Sequence, residues 1–489
     1  MENFTLAYWY RNKLELLFPL FILICSSIAI IANEWVIMAL PFVVLFAWLS
    51  VIKPHWIYFL LVFSIPFSTE LDLPGGFSTD FPDEILMWWM FGLGLVVLIK
   101  SRTFIKEIFS YPLTWAILIH WIWIMVTCIS STDMIYSIKY WLSKSWYLMN
   151  FYVLAIYFLK PGARKSIFAL LMVFAAGITV FIIETKHATV GFAFSEINQA
   201  VRPFYRNHVN YACLLVCVFP FVYPLWKKYQ GHLLIKMGIL GAGVLLLTGI
   251  VFAYTRAAYI SLFSILFFYP VIRYRLVNSA FILAVFISIT AILYYATGNR
   301  YLELAPDYNK AVSHTDFSNL LEATPQGRDI STMERLYRWV AGANMIADRP
   351  LVGFGPANFY NAYQSYTLTQ FTTYVSDNAE KSSIHNYYLM TAVEQGVPGL
   401  IIFLAILYFY FKMAETLWRS GTSWQKRWIL SSVWSMGAIL MILVFNDMVE
   451  SDKVGSLFFI NMAILVCVSD IPKNEMNKNN PTDANRKST

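Results

Sequence analysis

Charge is scarce in this sequence: 13% of its 489 residues are Asp, Glu, Lys or Arg, where a soluble domain carries roughly a quarter. With 58% hydrophobic and 18% aromatic residues and a mean hydropathy of +0.57, that scarcity excludes a soluble globular protein. Cysteine is scarce as well. Cys25, Cys128, Cys213, Cys217 and Cys467 all lie inside apolar runs, so neither a disulfide framework nor a metal knuckle follows from them. The apolar runs hold almost no ionisable side chain away from their ends, His120 being the main exception. Ion-coupled transporters carry intramembrane acids or bases, which argues against that class.

What the sequence does have is a succession of apolar stretches, each of about 15 to 22 residues, the length of a membrane-crossing helix. Some of the chain's 19 prolines and 22 glycines fall within them, which a helix bundle tolerates because neighbouring helices re-satisfy the freed backbone groups. The stretches lie near 14–32, 35–51, 54–67, 85–99, 112–129, 146–159, 166–184, 209–226, 233–253, 257–272, 277–296, 386–411, 428–446 and 455–469. The fold class expected is therefore all-α, a polytopic transmembrane helix bundle of about 12–14 spans with a large extracytoplasmic loop containing amphipathic helices. The lower count applies if 14–51 is one broken hairpin or if the short third and last stretches do not cross. Four regions follow: a bundle over 1–296 with outer loops 68–84 and 185–208, an extracytoplasmic loop over 297–385, further spans over 386–470, and a disordered tail over 471–489.

Charge alternates from loop to loop. One set of loops and both termini hold 22 of the 36 basic residues and a net charge of +15, and the other set carries −8. Positive charge stays inside, so both termini are expected in the cytoplasm and the long loop outside, and the net +7 reflects topology rather than nucleic-acid binding. The first apolar run is too long for a cleavable signal and is followed at once by another.

In the long loop, Ser331 and Glu334 have capping-box spacing, and Leu336, Trp339, Val340, Ala343 and Ile346 fall on one helical face. An amphipathic helix ending before Pro350 is predicted. It carries Arg335 and Arg338; Glu334, four residues before Arg338, offers that arginine an ordinary ion-pair partner. Pro350-Leu-Val-Gly-Phe-Gly-Pro-Ala-Asn-Phe359 then forces a tight return to the membrane and lacks the third glycine of a dinucleotide fingerprint. His385 and Asn386 stand where the chain re-enters the bilayer, at the mouth of a helix broken at Gly396 and Pro398. A lone interfacial histidine is usually a polar anchor, and Glu394, nine residues on, would face away from it. Arg256, in a minimal loop between two apolar runs, is by itself best explained as a snorkelling arginine. Arg202, Arg206 and Asn210 form a further cluster at the edge of a span, and basic groups gathered on an acidic side suggest that an anion docks there.

At these residues the sequence resembles the O-antigen ligase and polymerase family of bacterial surface-polysaccharide assembly. The match rests on Thr255-Arg256-Ala-Ala, on Arg335-x-x-x-Trp339 running into Asp348-Arg-Pro-Leu-Val-Gly-Phe-Gly-Pro-Ala-Asn-Phe359, and on His385-Asn-x-Tyr-Leu…Glu394-x-Gly-x-x-Gly399. The resemblance implies an enzyme of the inner membrane that moves a glycan from an undecaprenyl (polyprenyl) diphosphate carrier to an acceptor hydroxyl, lipid A core or another glycan, on the extracytoplasmic face. It implies no cofactor and no metal. Two arginines that hold the donor diphosphate map to Arg256 and Arg335, with Arg328 and Arg338 as the neighbours that could take the second place, and the acceptor-serving histidine maps to His385. A polymerase extending carrier-linked chains is the alternative within the family. A metal-dependent transferase using Glu70, Asp72, Asp80, Asp83 and Glu84, whose ordinary reading is a solvated acidic loop, and a flippase for lipid-linked oligosaccharides are the readings outside it.

Overall fold

The computed structural model describes residues 19–34, 37–38, 40–73, 77–305, 330–373, 376–378 and 382–469. Arg328 and the tail at 471–489 lie outside the described residues. The chain divides into two compact units, Met1–Leu61 and Val62–Thr489. In the first, α1 (Pro19–Ala32) is a short apolar helix, and α2 (Leu40–Ile52) meets α3 (Pro54–Ser64) at a 115° bend. Pro54 brings no N–H to continue the ladder, so the chain turns there.

The second unit opens with a hairpin of β1 (Thr69–Leu73) and β2 (Phe77–Phe81), paired antiparallel with Glu70 opposite Asp80. Then come α4 (Asp83–Lys100), α5 (Arg102–Ile108), α6 (Pro112–Ile129) and α7 (Met134–Tyr147). A single π turn at Leu148–Val153 carries α7 on into α8 (Leu154–Leu159). The chain continues as α9 (Gly162–Thr189), α10 (Ile197–Ala200), α11 (His208–Val218), α12 (Val222–Lys228), α13 (Leu233–Phe252), α14 (Arg256–Arg273) and α15 (Val277–Ala296). After the long loop it closes with α16 (Ile330–Asp348), α17 (Phe359–Ala362), α18 (Tyr387–Ser420), α19 (Ser423–Phe445) and α20 (Asp452–Ser469).

The all-α polytopic bundle is what the apolar stretches predict. Among the described residues, nine helices are long and apolar enough to span, or eleven if each bent pair counts as one. The second and third stretches fold into the bent α2–α3 pair, α1 is short, and a π turn joins α7 and α8 into one helix over 134–159. Hydropathy counts apolar length and is blind to such breaks.

The centre of the second unit is α20, 94% of whose span is buried, so a helix apolar all round finds neighbours all round. Of α15 only 6% is buried, leaving its side chains to lipid.

Hydrogen bonds gather the turns at two ends. At one, Arg427 donates to the Lys227 carbonyl (3.4 Å), Gln425 to that of Val468 (2.8 Å), and Lys160 pairs with Glu107. At the other, the Thr132 amide donates to Phe354 (3.0 Å), the Tyr254 hydroxyl to Phe192 (2.7 Å), and Lys453 to Ile65 and Ser68 (both 3.0 Å). The turns carrying Lys160, Lys227 and Arg427 lie at the first end, and the described part of the long loop around Phe354 lies at the second.

Candidate functional site

Arg256 is placed by two helix starts. Tyr254 adopts a left-handed backbone (φ 50°), and Thr255 follows as N-cap, its hydroxyl donating to the carbonyls of Ala253 (3.0 Å) and His208 (3.5 Å). The second bond brings the start of α14 against the start of α11. There Asn207 caps the helix by accepting the Asn210 amide (3.0 Å), and the Asn198 carboxamide oxygen accepts the His208 amide (3.1 Å). Two helix N-termini and an arginine in the first turn of one of them concentrate positive potential, the arrangement that attracts an anion. Arg202 and Arg206 are exposed in the turn just before α11.

The second arginine belongs to α16. Its buried stripe is Met333, Tyr337, Ala341 and Met345, flanked by buried Glu334 and Arg338, while Leu336 and Val340 are half-buried and Ala343 is exposed. The predicted apolar face is thus not the packed one. The capping box does not form either: the helix is already running at Ile330, and Glu334 turns inward. It pairs with Arg338 (3.3 Å) and accepts the hydroxyls of Thr373 and Ser376, the latter at 2.6 Å. Arg338 also donates to the Ser383 carbonyl (3.3 Å), and Trp339 to that of Ile384 (3.0 Å). A charge pair supported by further hydrogen bonds can be buried where an isolated charge cannot. Arg338 therefore clamps α16 to the segment that carries His385, and Arg335 stands one turn earlier on the same helix.

His385 follows directly. Its backbone is left-handed (φ 54°), rare for a residue with a β-carbon and held only where the surroundings impose it. Its amide donates to the Ser383 hydroxyl (3.2 Å), and its Nδ1 is buried with no hydrogen-bond partner among the described residues. Burial, with Arg335 and Arg338 nearby, pulls the imidazole down to about 3, so it is neutral at physiological pH. Asn386 caps α18 by accepting the Leu389 amide (2.9 Å) and donates to the Val444 carbonyl (3.1 Å) at the end of α19. Since α11 and α12 run antiparallel to α19, with Ser435 donating to the Cys217 carbonyl (2.8 Å) and Arg427 to that of Lys227 (3.4 Å), the start of α11 and the Arg256 beside it lie at this same end of the bundle.

The glycine-rich turn proves to be scaffolding. The amides of Phe354 and Gly355 donate to the carbonyls of Val393 (3.0 Å) and Glu394 (2.9 Å), and the Val397 amide donates to Pro350 (2.8 Å). Gly396 breaks α18 at φ 72°, ψ 174°, and a β-carbon there would strike the Leu351 carbonyl. The Glu394 carboxylate accepts the Phe359 amide (3.2 Å), so it serves the turn and forms no dyad with His385. Asn358 anchors the turn to the loop after α6, donating to Ser131 and Ser137 (both 2.9 Å).

Two groups escaped the sequence reading. Asp447, its carboxyl raised by burial, receives a hydrogen bond from Ser383 and so joins the support of His385. Beneath it Glu450 accepts from Tyr140 (2.8 Å) and Lys144 (3.0 Å), a pairing across 306 residues that no local spacing announces. The acidic hairpin does not gather ligands. Glu84 accepts the Thr79 hydroxyl (2.6 Å) and the Asp80 amide (3.1 Å), and Ser68 donates to Asp83 (2.6 Å). Among the described residues no three His, Cys, Asp or Glu side chains converge as a metal-binding group.

Comparison with known proteins bears on the same segment. Residues 241–404 match the family model described as O-antigen ligase. A protein of Rickettsia conorii named "Putative polysaccharide ligase" is 28% identical over 171 residues, 30% of this chain and 39% of that protein. Its namesake in Rickettsia felis is 27% identical over 171 residues, 30% of this chain and 40% of the relative. The chain thus spans about two fifths of the length of these curated relatives. The matched stretch begins inside α13, takes in Arg256, Arg335, the glycine-rich turn and His385, and ends within α18. Residues 241–404 are accordingly similar to the O-antigen ligase family, and they lie in a multi-pass helical membrane protein.

Proposed function

We propose that the protein transfers a glycan from a polyprenyl diphosphate carrier to an acceptor hydroxyl, that of lipid A core, on the outer face of the inner membrane, with both termini in the cytoplasm. The observation that carries this reading is His385: a strained, half-buried, neutral imidazole beside arginines, at the end of the bundle where α11 and α14 begin. The donor diphosphate sits between Arg256 at its paired helix starts and Arg335 on α16. Guanidinium forks match phosphate oxygens and hold a leaving group that needs its charge neutralised more than it needs a proton.

His385 removes the proton of the acceptor hydroxyl as the oxygen attacks the anomeric carbon. The bond from that carbon to the diphosphate oxygen breaks, and polyprenyl diphosphate leaves with the bonding electrons. One in-line displacement inverts the anomeric centre, and the arginines alone can carry the charge that develops, so the reading needs no metal. Arg335, one of the two arginines that lower the proton affinity of His385, is also a group the diphosphate would neutralise. A loaded site therefore holds a stronger base than an empty one.

The test uses proteoliposomes of the full chain with a polyprenyl-diphosphate oligosaccharide, lipid A core and EDTA. Glycan on lipid A core, absent with His385→Ala, supports the reading. Longer chains still attached to the carrier would replace the acceptor assignment with polymerisation, and no glycosidic product at all would refute transfer.

A further inference from the structure

At the basic end of the bundle, far along α14 from Arg256, an open recess of about 680 Å³ is lined by Arg273, Arg275, Trp418, Arg419 and Lys426. It lies where α14 turns into α15 and α18 gives way to α19. Other cations at this end are taken up locally. Lys160 pairs with Glu107, Lys412 pairs with Glu415 (2.8 Å), and Lys165 donates to the carbonyls of Leu159 (2.8 Å) and Lys160 (3.0 Å). The four cations of the recess make no ion pair among the described residues, and no carboxylate lines it.

These cations are also held in place. The Arg273 guanidinium lies 5.6 Å from the Tyr269 ring and 5.5 Å from the Tyr274 ring and donates to the Tyr269 hydroxyl at 2.6 Å. The Lys426 ammonium lies 5.6 Å from the Trp418 ring, which meets Tyr269 edge-on at 5.8 Å. Arg275 occupies the left-handed position (φ 61°) after the end of α14, where the Leu276 amide bonds back to Val271 (2.9 Å). Glycine takes that position without strain, and a side chain there is strained. Beside the recess, α14 exposes Phe263, Leu266 and Phe267, a greasy strip on which acyl chains can lie.

We propose that this recess binds the headgroup of a phospholipid bearing two phosphates, of the diphosphatidylglycerol type. Four convergent cations leave a single phosphate outnumbered, whereas two phosphates can each take a pair. The cation–aromatic contacts hold the recess open for them, and basic pockets between helix ends are where such headgroups bind. The site stands apart from the transfer reading and survives its failure.

The test is native mass spectrometry of the full chain in detergent with added diphosphatidylglycerol. The variant Arg273→Gln/Arg275→Gln/Arg419→Gln/Lys426→Gln should retain the lipid at least about tenfold less than the wild type, given about 1 kcal/mol per basic residue near a lipid surface. A control, Lys227→Gln/Lys228→Gln/Lys236→Gln, should retain it fully. Arg275→Gly relaxes the turn while removing one cation, so it should melt no lower than the wild type and still bind the lipid more weakly. Equal retention by the fourfold variant, or equal loss in the control, overturns the proposal. Displacement by equimolar inorganic pyrophosphate would assign the recess to a soluble diphosphate and overturn the lipid.

Discussion

His385 concentrates three separate costs in one residue: a left-handed backbone, a buried ring nitrogen without a partner, and two arginines in range. A histidine serving only as a polar anchor at a membrane surface would need none of them, and strain of this kind persists where function holds it. His385→Ala should lower transfer by about 10²–10⁴-fold while the protein still binds a radiolabelled polyprenyl diphosphate; normal turnover in that variant removes the base assignment. The pH dependence has a definite sign. Burial and positive neighbours favour the neutral ring, so kcat/KM, which reports the free enzyme, should keep its activity through pH 6.5 toward the value of about 3 set for His385. Arg335→Gln removes one positive neighbour, and the acid limb should move upward. An unchanged limb in that variant would mean that Arg335 does not act on the imidazole. Arg256 allows a sharper substitution: Arg256→Lys should impair transfer nearly as much as Arg256→Ala, because lysine offers a point charge where a phosphate pair takes a fork. A fully active lysine variant would return Arg256 to the role of a snorkelling side chain.

The elements show why some of this was legible in the sequence and some was not. The end of α16 before Pro350 and the break at Gly396 each follow from a local rule about proline or glycine. The packed face of α16 follows from no local rule. Periodicity selects Leu336, Val340 and Ala343, but Glu334 and Arg338 are buried because Thr373, Ser376 and Ser383, some 40 residues on, complete their hydrogen bonds. The same holds for the glycine-rich turn, whose partners on α18 lie across the intervening loop. Gly396 has the φ and ψ of a region open in practice to glycine alone, and a β-carbon there meets the Leu351 carbonyl. Gly396→Ala should therefore destabilise by about 1–3 kcal/mol, read as a lower melting midpoint in detergent. Because the turn and α18 together seat His385, transfer should fall with it. A variant that melts normally would show that the turn is not what holds the break.

For the whole molecule, the charge pattern and the geometry arrive independently at the same division of loops. The sequence separates a basic set from an acidic set, and the hydrogen bonds collect the turns after α8, α12 and α18 at one end and those after α6, α9 and α13 at the other. What hydropathy does not show is the bends, since a bent pair and a long span look alike when only apolar length is counted. Which end faces outward follows from the positive-inside rule, and the transfer reading depends on it, because a glycan acceptor on the outer face must meet His385 there. All five native cysteines are buried, so introduced thiols can be read without background. Ser195, exposed between α9 and α11, and Ser110, exposed between α5 and α6, are sites for single cysteines at opposite ends. In intact inner-membrane spheroplasts a membrane-impermeant maleimide should label Ser195→Cys and spare Ser110→Cys until the membrane is opened. The reverse pattern would put His385 and its arginines in the cytoplasm, where a ligase acting on exported glycan has no substrate, and the proposed function would fall with the topology.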